Sequence, residues 1–222
     1  MKIEIKNISK NYGKKEVLRN ISFTAESGNC VGILGCNGCG KSTLLSILAG
    51  VQKADGGEFI FDSHDLFKFK KQHSQLVSYV PQGTPLIDEL SAKDNLSLWY
   101  EKDEIQKQLK EGVLKMLGID AFLKTPVNKM SGGMKKRLSI ACAISQKQPV
   151  LLLDEPMSAL DLPCKQNISQ YIRNHKERGG IVLLATHDVL ELELCDKYYI
   201  MKNGELIPFD YDGNIDNLVK NL

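Results

Sequence analysis

Gly35-Cys36-Asn37-Gly38-Cys39-Gly40-Lys41-Ser42-Thr43 fits the pattern G-x-x-x-x-G-K-[ST] and opens directly onto an apolar stretch of helical spacing. Glycines at these positions let successive backbone N–H groups turn inward around an anion. A helix that starts where the loop ends adds free N–H groups and a partial positive charge. The pattern places the Lys41 ammonium on the outer phosphates of a nucleotide and the Ser42 hydroxyl on Mg²⁺. Before the loop, Cys30–Leu34 is a short apolar run, as a buried strand would be. After it, Lys41–Val51 carries Leu44, Leu45, Ile47, Leu48 and Val51 on one helical face. Strand, glycine loop and helix in this order predict a phosphate-binding turn, which a glycine-rich turn alone would not.

A second element has the form that such a turn requires. Val150-Leu151-Leu152-Leu153-Asp154-Glu155-Pro156 is an apolar strand that ends in two acids. In open α/β sheets ligands bind outside the carboxyl ends of the strands, so both acids fall beside the glycine loop. Asp154 is expected to hold Mg²⁺ through water. Glu155, one residue on and pointing differently, is expected to polarise a water that attacks the terminal phosphate. A third apolar run, Ile181–Ala185, leads through Thr186 to His187. A lone histidine is more often a structural residue. At a strand end on the same edge, His187 is expected to touch the γ-phosphate and orient the water.

Further out, Lys2–Ile8 and Val17–Ala25 alternate with period two and read as strands, as do Glu58–Asp62 and Leu76–Val80. Between Gly83 and Gln148 the pattern changes to helical spacing over Ala92–Tyr100, Glu104–Leu117 and Gly133–Ser145. Strands return at Val150–Leu153 and Ile181–Ala185, with helical Cys164–Lys176 between them. A hairpin over Asp196–Pro208, turning at Asn203-Gly204, and a helix at Asp216–Leu222 follow. The alternation predicts an α/β fold with a mostly parallel core sheet, an N-terminal antiparallel β subdomain and a helical insert. The division is one domain over 1–222, with a core of about 1–82 and 149–222 and a helical subdomain of about 83–148.

The 222 residues are 42% hydrophobic and 25% charged, which fits a folded globular chain and argues against disordered and coiled-coil classes. The 29 basic and 27 acidic residues leave a formal charge of +2, too near neutral to favour nucleic acid as a partner. No stretch approaches the roughly 18 consecutive apolar residues of a membrane span, so a membrane role is expected to come through another chain.

Ser131-Gly132-Gly133-Met134-Lys135-Lys136-Arg137 narrows the class. Physically it is a serine cap and two glycines opening a helix, a second anion-binding terminus with no evident use in its own half of the chain. Together with the two elements above, it resembles the signature motif of ATP-binding cassette (ABC) ATPases. The resemblance covers nearly the whole chain. Tyr12 matches the aromatic residue that stacks on adenine, and Gly35–Thr43 matches Walker A, with Gly35, Cys36, Asn37, Gly38, Cys39, Gly40, Lys41, Ser42 and Thr43 as ATP contacts. Gln82 matches the Q-loop, Val150–Glu155 Walker B, Ser158-Ala159-Leu160-Asp161 the D-loop, and Thr186-His187-Asp188 the switch histidine.

This resemblance implies an ATP- and Mg²⁺-dependent ATPase that works as a head-to-tail pair, homo- or heterodimeric. Each ATP is then held between one chain's Walker A and the partner's Ser131, Gly132 and Gly133. Glu155, His187, Gln82 and Lys41 are the implied catalytic set, and Ser42, Gln82 and Asp154 the implied metal set. The implied function is the motor subunit of a membrane transporter, on the cytoplasmic side of the membrane and peripheral to a separate transmembrane permease, with no nucleic-acid partner. The chain ends 35 residues after His187 (222 − 187), which leaves no room for the regulatory domain of many importers and gives a mild preference for export. The alternative is a soluble ABC ATPase of an assembly complex, such as iron–sulfur cluster biogenesis.

This sequence departs from the family pattern in several places. Met134 replaces the usual signature glutamine, Cys36 and Cys39 replace a proline and a small residue, and Cys142 stands where arginine is common. Cys142 is expected at a surface or a subunit contact. Cys36 and Cys39 are expected to be small residues tolerated in the loop, with oxidation that blocks nucleotide binding as the alternative. His64, His73 and His175 are expected to face solvent, Lys68–Lys71 to form a solvated face, and Trp99 to fill the core of the helical insert.

Overall fold

A computed structural model describes residues 1–145 and 148–222. Residues 146 and 147, within the span assigned to the helical subdomain, lie outside the described residues. The chain begins with β1 (Lys2–Tyr12), β2 (Lys15–Glu26), β3 (Cys30–Leu34), α1 (Lys41–Leu48), β4 (Gly56–Phe61) and β5 (His64–Asp65). It continues with α2 (Lys70–Leu76), β6 (Val77–Val80), α3 (Ala92–Leu96), α4 (Lys102–Glu111), α5 (Val113–Met116) and α6 (Gly132–Ala143). It closes with β7 (Val150–Asp154), α7 (Leu162–Glu177), β8 (Ile181–Ala185), α8 (Val189–Leu192), β9 (Lys197–Lys202), β10 (Glu205–Phe209) and α9 (Ile215–Asn221).

Two sheets form. The first is antiparallel, in the order β2-β1-β4-β5. The second has the order β10-β9-β3-β8-β7-β6, parallel from β9 to β6, with antiparallel β10 at one edge. Its central strands are apolar up to Asp154 at the end of β7 because both faces are covered, so they do not alternate in polarity. They alternate instead in which core they enter. Val31 and Ile33 of β3, Val150 and Leu152 of β7, and Ile181 and Leu183 of β8 pack with α1 and the antiparallel sheet. Leu151, Leu153, Val182 and Leu184 face the other way, against α6, α7 and the helical region. The sheet thus fixes the carboxyl ends of β3, β7 and β8 side by side, where the loop of Gly35, the acids and His187 emerge.

The fold agrees with the α/β expectation, and several local expectations do not hold. The helix expected over Glu104–Leu117 breaks at Gly112, whose backbone is extended. There the Gln108 side chain accepts from the Val113 N–H, and a Cβ on Gly112 would lie 1.8 Å from Gln108 Oε1. The helix expected over Ala92–Tyr100 shortens to α3 and then turns. Trp99 is not insert core. Leu96 and Tyr100 take the inward positions, leaving Leu98 60% and Trp99 55% exposed.

His73 is buried on α2, an element the charge run at Lys68–Lys71 concealed. Its Nε2 is 2.7 Å from Leu48 O, and its ring meets Phe59 edge-on. His175 is half-buried, 3.3 Å from Pro149 O and stacked on Tyr171, so of these three histidines His64 alone faces solvent. Cys142 is buried inside α6, where burial pushes its thiol up to about 12. All six cysteines are free. The hairpin turn is as expected, with Asn203 at φ 52° and Gly204 at φ 80°, the left-handed pair of a two-residue turn.

Candidate nucleotide site

The glycine loop connects β3 to α1. Gly35, Gly38 and Gly40 have φ of 151°, 77° and 119°, a run of conformations that side chains disfavour. At Gly35 a Cβ would sit 2.6 Å from Met201 O and 2.7 Å from Cys39 Sγ, so this position needs glycine on steric grounds as well. Lys41 is buried and curls back over the loop. Its Nζ donates to Gly35 O (2.7 Å) and Cys36 O (3.1 Å) and lies 4.0 Å from Cys39 Sγ. The ammonium is therefore held against the carbonyls at the start of the loop, beside the N-terminus of α1. A cleft of about 150 Å³ opens here, lined by Asn37, Gly38, Gly40–Thr43, Gln82 and Glu155. A larger cavity of about 660 Å³ lies at the amino ends of β7 and β8, lined by Pro149, Gly180 and groups of α4 and α7. It has neither the glycine loop nor the acids.

Three side chains that are far apart in sequence meet at the cleft. Gln82 Nε2 donates to Glu155 Oε2 (3.0 Å), and His187 Nδ1 lies 3.1 Å from Glu155 Oε1, within hydrogen-bond distance of the second oxygen. Glu155 holds a left-handed φ of 48°, rare for a non-glycine residue and worth roughly 1–3 kcal/mol of strain. Surrounding bonds hold it there. Its N–H donates to Ala185 O (2.9 Å), and its carbonyl accepts from the Ser158 hydroxyl (2.9 Å). The kink lets consecutive residues Asp154 and Glu155 serve different places.

Asp154 is 1% exposed, and neither carboxylate oxygen has a hydrogen-bond partner among the described residues. Burial raises its pKa, with the Glu155 charge acting in the same direction; the nearby Ser42 hydroxyl, Lys136 and Lys41 pull it down. A buried carboxylate without partners is costly. The two Asp154 carboxylate oxygens, the exposed Ser42 hydroxyl and the Gln82 amide oxygen are hard oxygen donors of the type a divalent cation takes.

Tyr12 stands at the end of β1, 48% exposed, with its hydroxyl donating to Gln52 Oε1. The Lys10 ammonium lies 5.6 Å from the ring centroid. Ser131 caps α6, its hydroxyl accepting from the Met134 N–H (3.3 Å). Among the described residues no hydrogen bond joins Ser131, Gly132 or Gly133 to residues 35–43. The segment packs instead on the loop after β7, where a Cβ on Gly133 would be 3.2 Å from Ala159 O. Asp161 caps α7 through the Cys164 N–H (3.0 Å). Cys36 is exposed, with Sγ 3.7 Å from Leu222 O.

Two buried charges carried no expected role. Lys136 of α6 donates to Pro81 O (3.0 Å) and Gln82 O (3.2 Å). Glu191 of α8 accepts from the Met157 N–H (2.8 Å), and burial raises its pKa. Lys136 was visible in sequence as a charge on the α6 face that also carries Ile140, four residues on. Nothing in sequence distinguished Glu191 from the neighbouring Glu193.

Comparison with known proteins agrees with this geometry. The family model described as ABC transporter matches residues 18–158. The linearmycin resistance ATP-binding protein LnrL of Bacillus subtilis (strain 168) is 33% identical over 92% of this chain and 68% of its own length. A probable sulfate/thiosulfate import ATP-binding protein CysA of Chlorella vulgaris is 33% identical, over 93% and 90%. The spermidine/putrescine import ATP-binding protein PotA of Spiroplasma citri is 34% identical over 99% of this chain, which spans 64% of PotA. Among solved structures, the dimeric post-hydrolysis state of the ATP-binding cassette MJ0796 bound to ADP and Pi matches with a TM-score of 0.82 and 29% identity, over 92% of this chain and 96% of that one. The structure of an ATP-binding subunit of an ABC transporter matches at 0.88 and 24% identity, a likeness of fold, over 100% and 99%. The chain belongs to the ABC transporter family and is one of its ATP-binding ATPases.

Proposed function

We propose that the chain is the motor subunit of an ABC membrane transporter, closing head-to-tail with a second ABC ATPase chain on two ATP and driving a separate transmembrane subunit. One observation carries this reading. Among the described residues, α1 and α6 open on glycine turns of the kind that binds anions, and of these two that of α1 has the carboxylates and His187 beside it. The exposed Ser131–Gly133 terminus is left for a phosphate held elsewhere, and a second chain supplies one.

The residues divide the work. Backbone N–H groups of Asn37–Lys41 and the Lys41 ammonium bind the phosphates, and the Tyr12 ring takes the adenine. Ser42, Asp154 through water, and Gln82 would hold Mg²⁺, which when bound screens the phosphate charge. Glu155 accepts a proton from the attacking water. His187 and Gln82, each bonded to one Glu155 oxygen, orient that carboxylate and so the water. Asp161 and Ser158 fix the loop between Glu155 and α7, on which Gly133 rests, so the acid and the signature loop share a support.

Among the described residues no helix is long and apolar enough to cross a membrane, which fits a permease on another chain. The chain then lies on the cytoplasmic side of the membrane, peripheral through that subunit. The names of its relatives include both resistance and import, so the proposal covers the motor and not a direction of transport. Capture of the tagged chain from gently solubilised native cells tests the reading. A stoichiometric multi-span membrane protein is expected, and a soluble complex in its place would favour the assembly-factor alternative.

A further inference from the structure

Lys136 is 3% exposed, an uncommon place for an ammonium group. Burial lowers its pKa, and three acids face it, Asp154, Glu191 and Glu155. Its two hydrogen bonds go to the consecutive carbonyls of Pro81 and Gln82, directly after β6 ends at Val80. The side chain of that same Gln82 donates to Glu155. At its other end, Lys136 belongs to α6, whose first turn is the Ser131–Gly133 segment. One side chain therefore joins the helix that presents the signature loop to the loop that aims an amide at the catalytic carboxylate.

We propose that Lys136 is a positioning residue for hydrolysis, holding the main chain at 81 and 82 so that the Gln82 amide meets Glu155 and so that this loop moves together with α6. The proposal deepens the reading of the catalytic site and rests on it. A cation suits the task because it donates to both carbonyls at once, and bonds to a charged donor are roughly twice as strong as neutral ones. A misplacement of about 1 Å in a catalytic contact can cost ~100-fold in rate, so a residue remote from the phosphate can still control turnover.

The test is a double-mutant cycle on ATPase kinetics of the intact chain, using Lys136→Met, Gln82→Ala and the double variant. Lys136→Met should lower kcat by about 10- to 100-fold, leave the KM for ATP and the affinity for ADP within about twofold, and add nothing to Gln82→Ala in the double variant. Lys136→Arg, which keeps a cation and N–H donors, should recover most of the loss. Hydrogen exchange reads the same link without activity. The peptide over residues 81–86 should exchange faster in Lys136→Met, while β7 stays protected. Wild-type kcat in Lys136→Met, or losses that multiply in the double variant, would overturn the link. Wild-type rates in Gln82→Ala would instead overturn the catalytic reading beneath it. Loss of ADP affinity together with faster exchange throughout the chain would make Lys136 a residue of general stability and overturn the link as well.

Discussion

Asp154→Asn should stabilise the metal-free protein while damaging its function. Both Asp154 oxygens are buried and without hydrogen-bond partners among the described residues. An unsatisfied buried polar group costs about 1–3 kcal/mol, and more when charged. The Ser42 hydroxyl, Lys136 and Lys41 offset part of that cost. Replacing the charge by a neutral amide should then gain about 1–2 kcal/mol at pH 8. For a chain of this size that is ~2–8 °C in Tm.

The pH dependence fixes the cause. The folded-state pKa of Asp154 is raised above the ordinary carboxylate value of about 3.9. Wild-type stability is therefore lost as pH rises from about 4 through the raised value. The gain from Asp154→Asn should be absent at the bottom of that window, grow across it and then stay level. Magnesium and ADP at 100 times Kd should return about 2.7 kcal/mol to the wild type. The metal-dependent part of that return should be missing in the variant. Thermal unfolding of both proteins from pH 4 to 8, with and without magnesium and ADP, reads each quantity. A variant no more stable than wild type at pH 8 without metal, or a gain independent of pH, would refute the reasoning.

Other outcomes follow from the same geometry. Gly35→Ala forces a Cβ against Met201 O and Cys39 Sγ in a left-handed backbone, so it should cost at least about 2 kcal/mol in chemical unfolding and abolish ADP binding. Lys41→Met removes the ammonium that the loop encloses; calorimetric titration should show ATP affinity reduced by at least about tenfold. Under brief iodoacetamide treatment read by mass spectrometry, exposed Cys36 should be alkylated first. Buried Cys142, its thiol pushed up to about 12, should react only after unfolding. A mild oxidant that lowers nucleotide affinity would point to the Cys36–Cys39 loop as redox-sensitive, and equal affinities would dismiss that idea.

The glycine loop, the acid-ended strand and the alternation of strands and helices were legible because each leaves a local pattern of few residue types. Even the position of His187 could be read, since it depends only on where a buried parallel strand ends. Features that depend on partners far along the chain could not be read in this way. His73 looked like one more polar residue in a basic stretch, until Leu48 O and Phe59 gave it a buried place. Trp99 looked like core because it is large and apolar, and Leu96 and Tyr100 had already filled the inward positions. The break at Gly112 depends on the Gln108 side chain bonding the Val113 N–H, a choice that periodicity does not encode. The Glu155 kink arises from bonds to Ala185 and Ser158, and the grip of Lys136 on residues 81 and 82 spans over fifty residues.

The central claim is that ATP is held between the cradle of one chain and the Ser131–Gly133 loop of another. Glu155→Gln keeps the binding groups, removes the proton acceptor and should lower turnover by about 10²–10⁴-fold. Light scattering on this variant should show the 24.8 kDa mass doubling with ATP, and not with ADP, with one ATP held per chain. A variant that stays monomeric at saturating ATP, or that hydrolyses at the wild-type rate, would contradict the account.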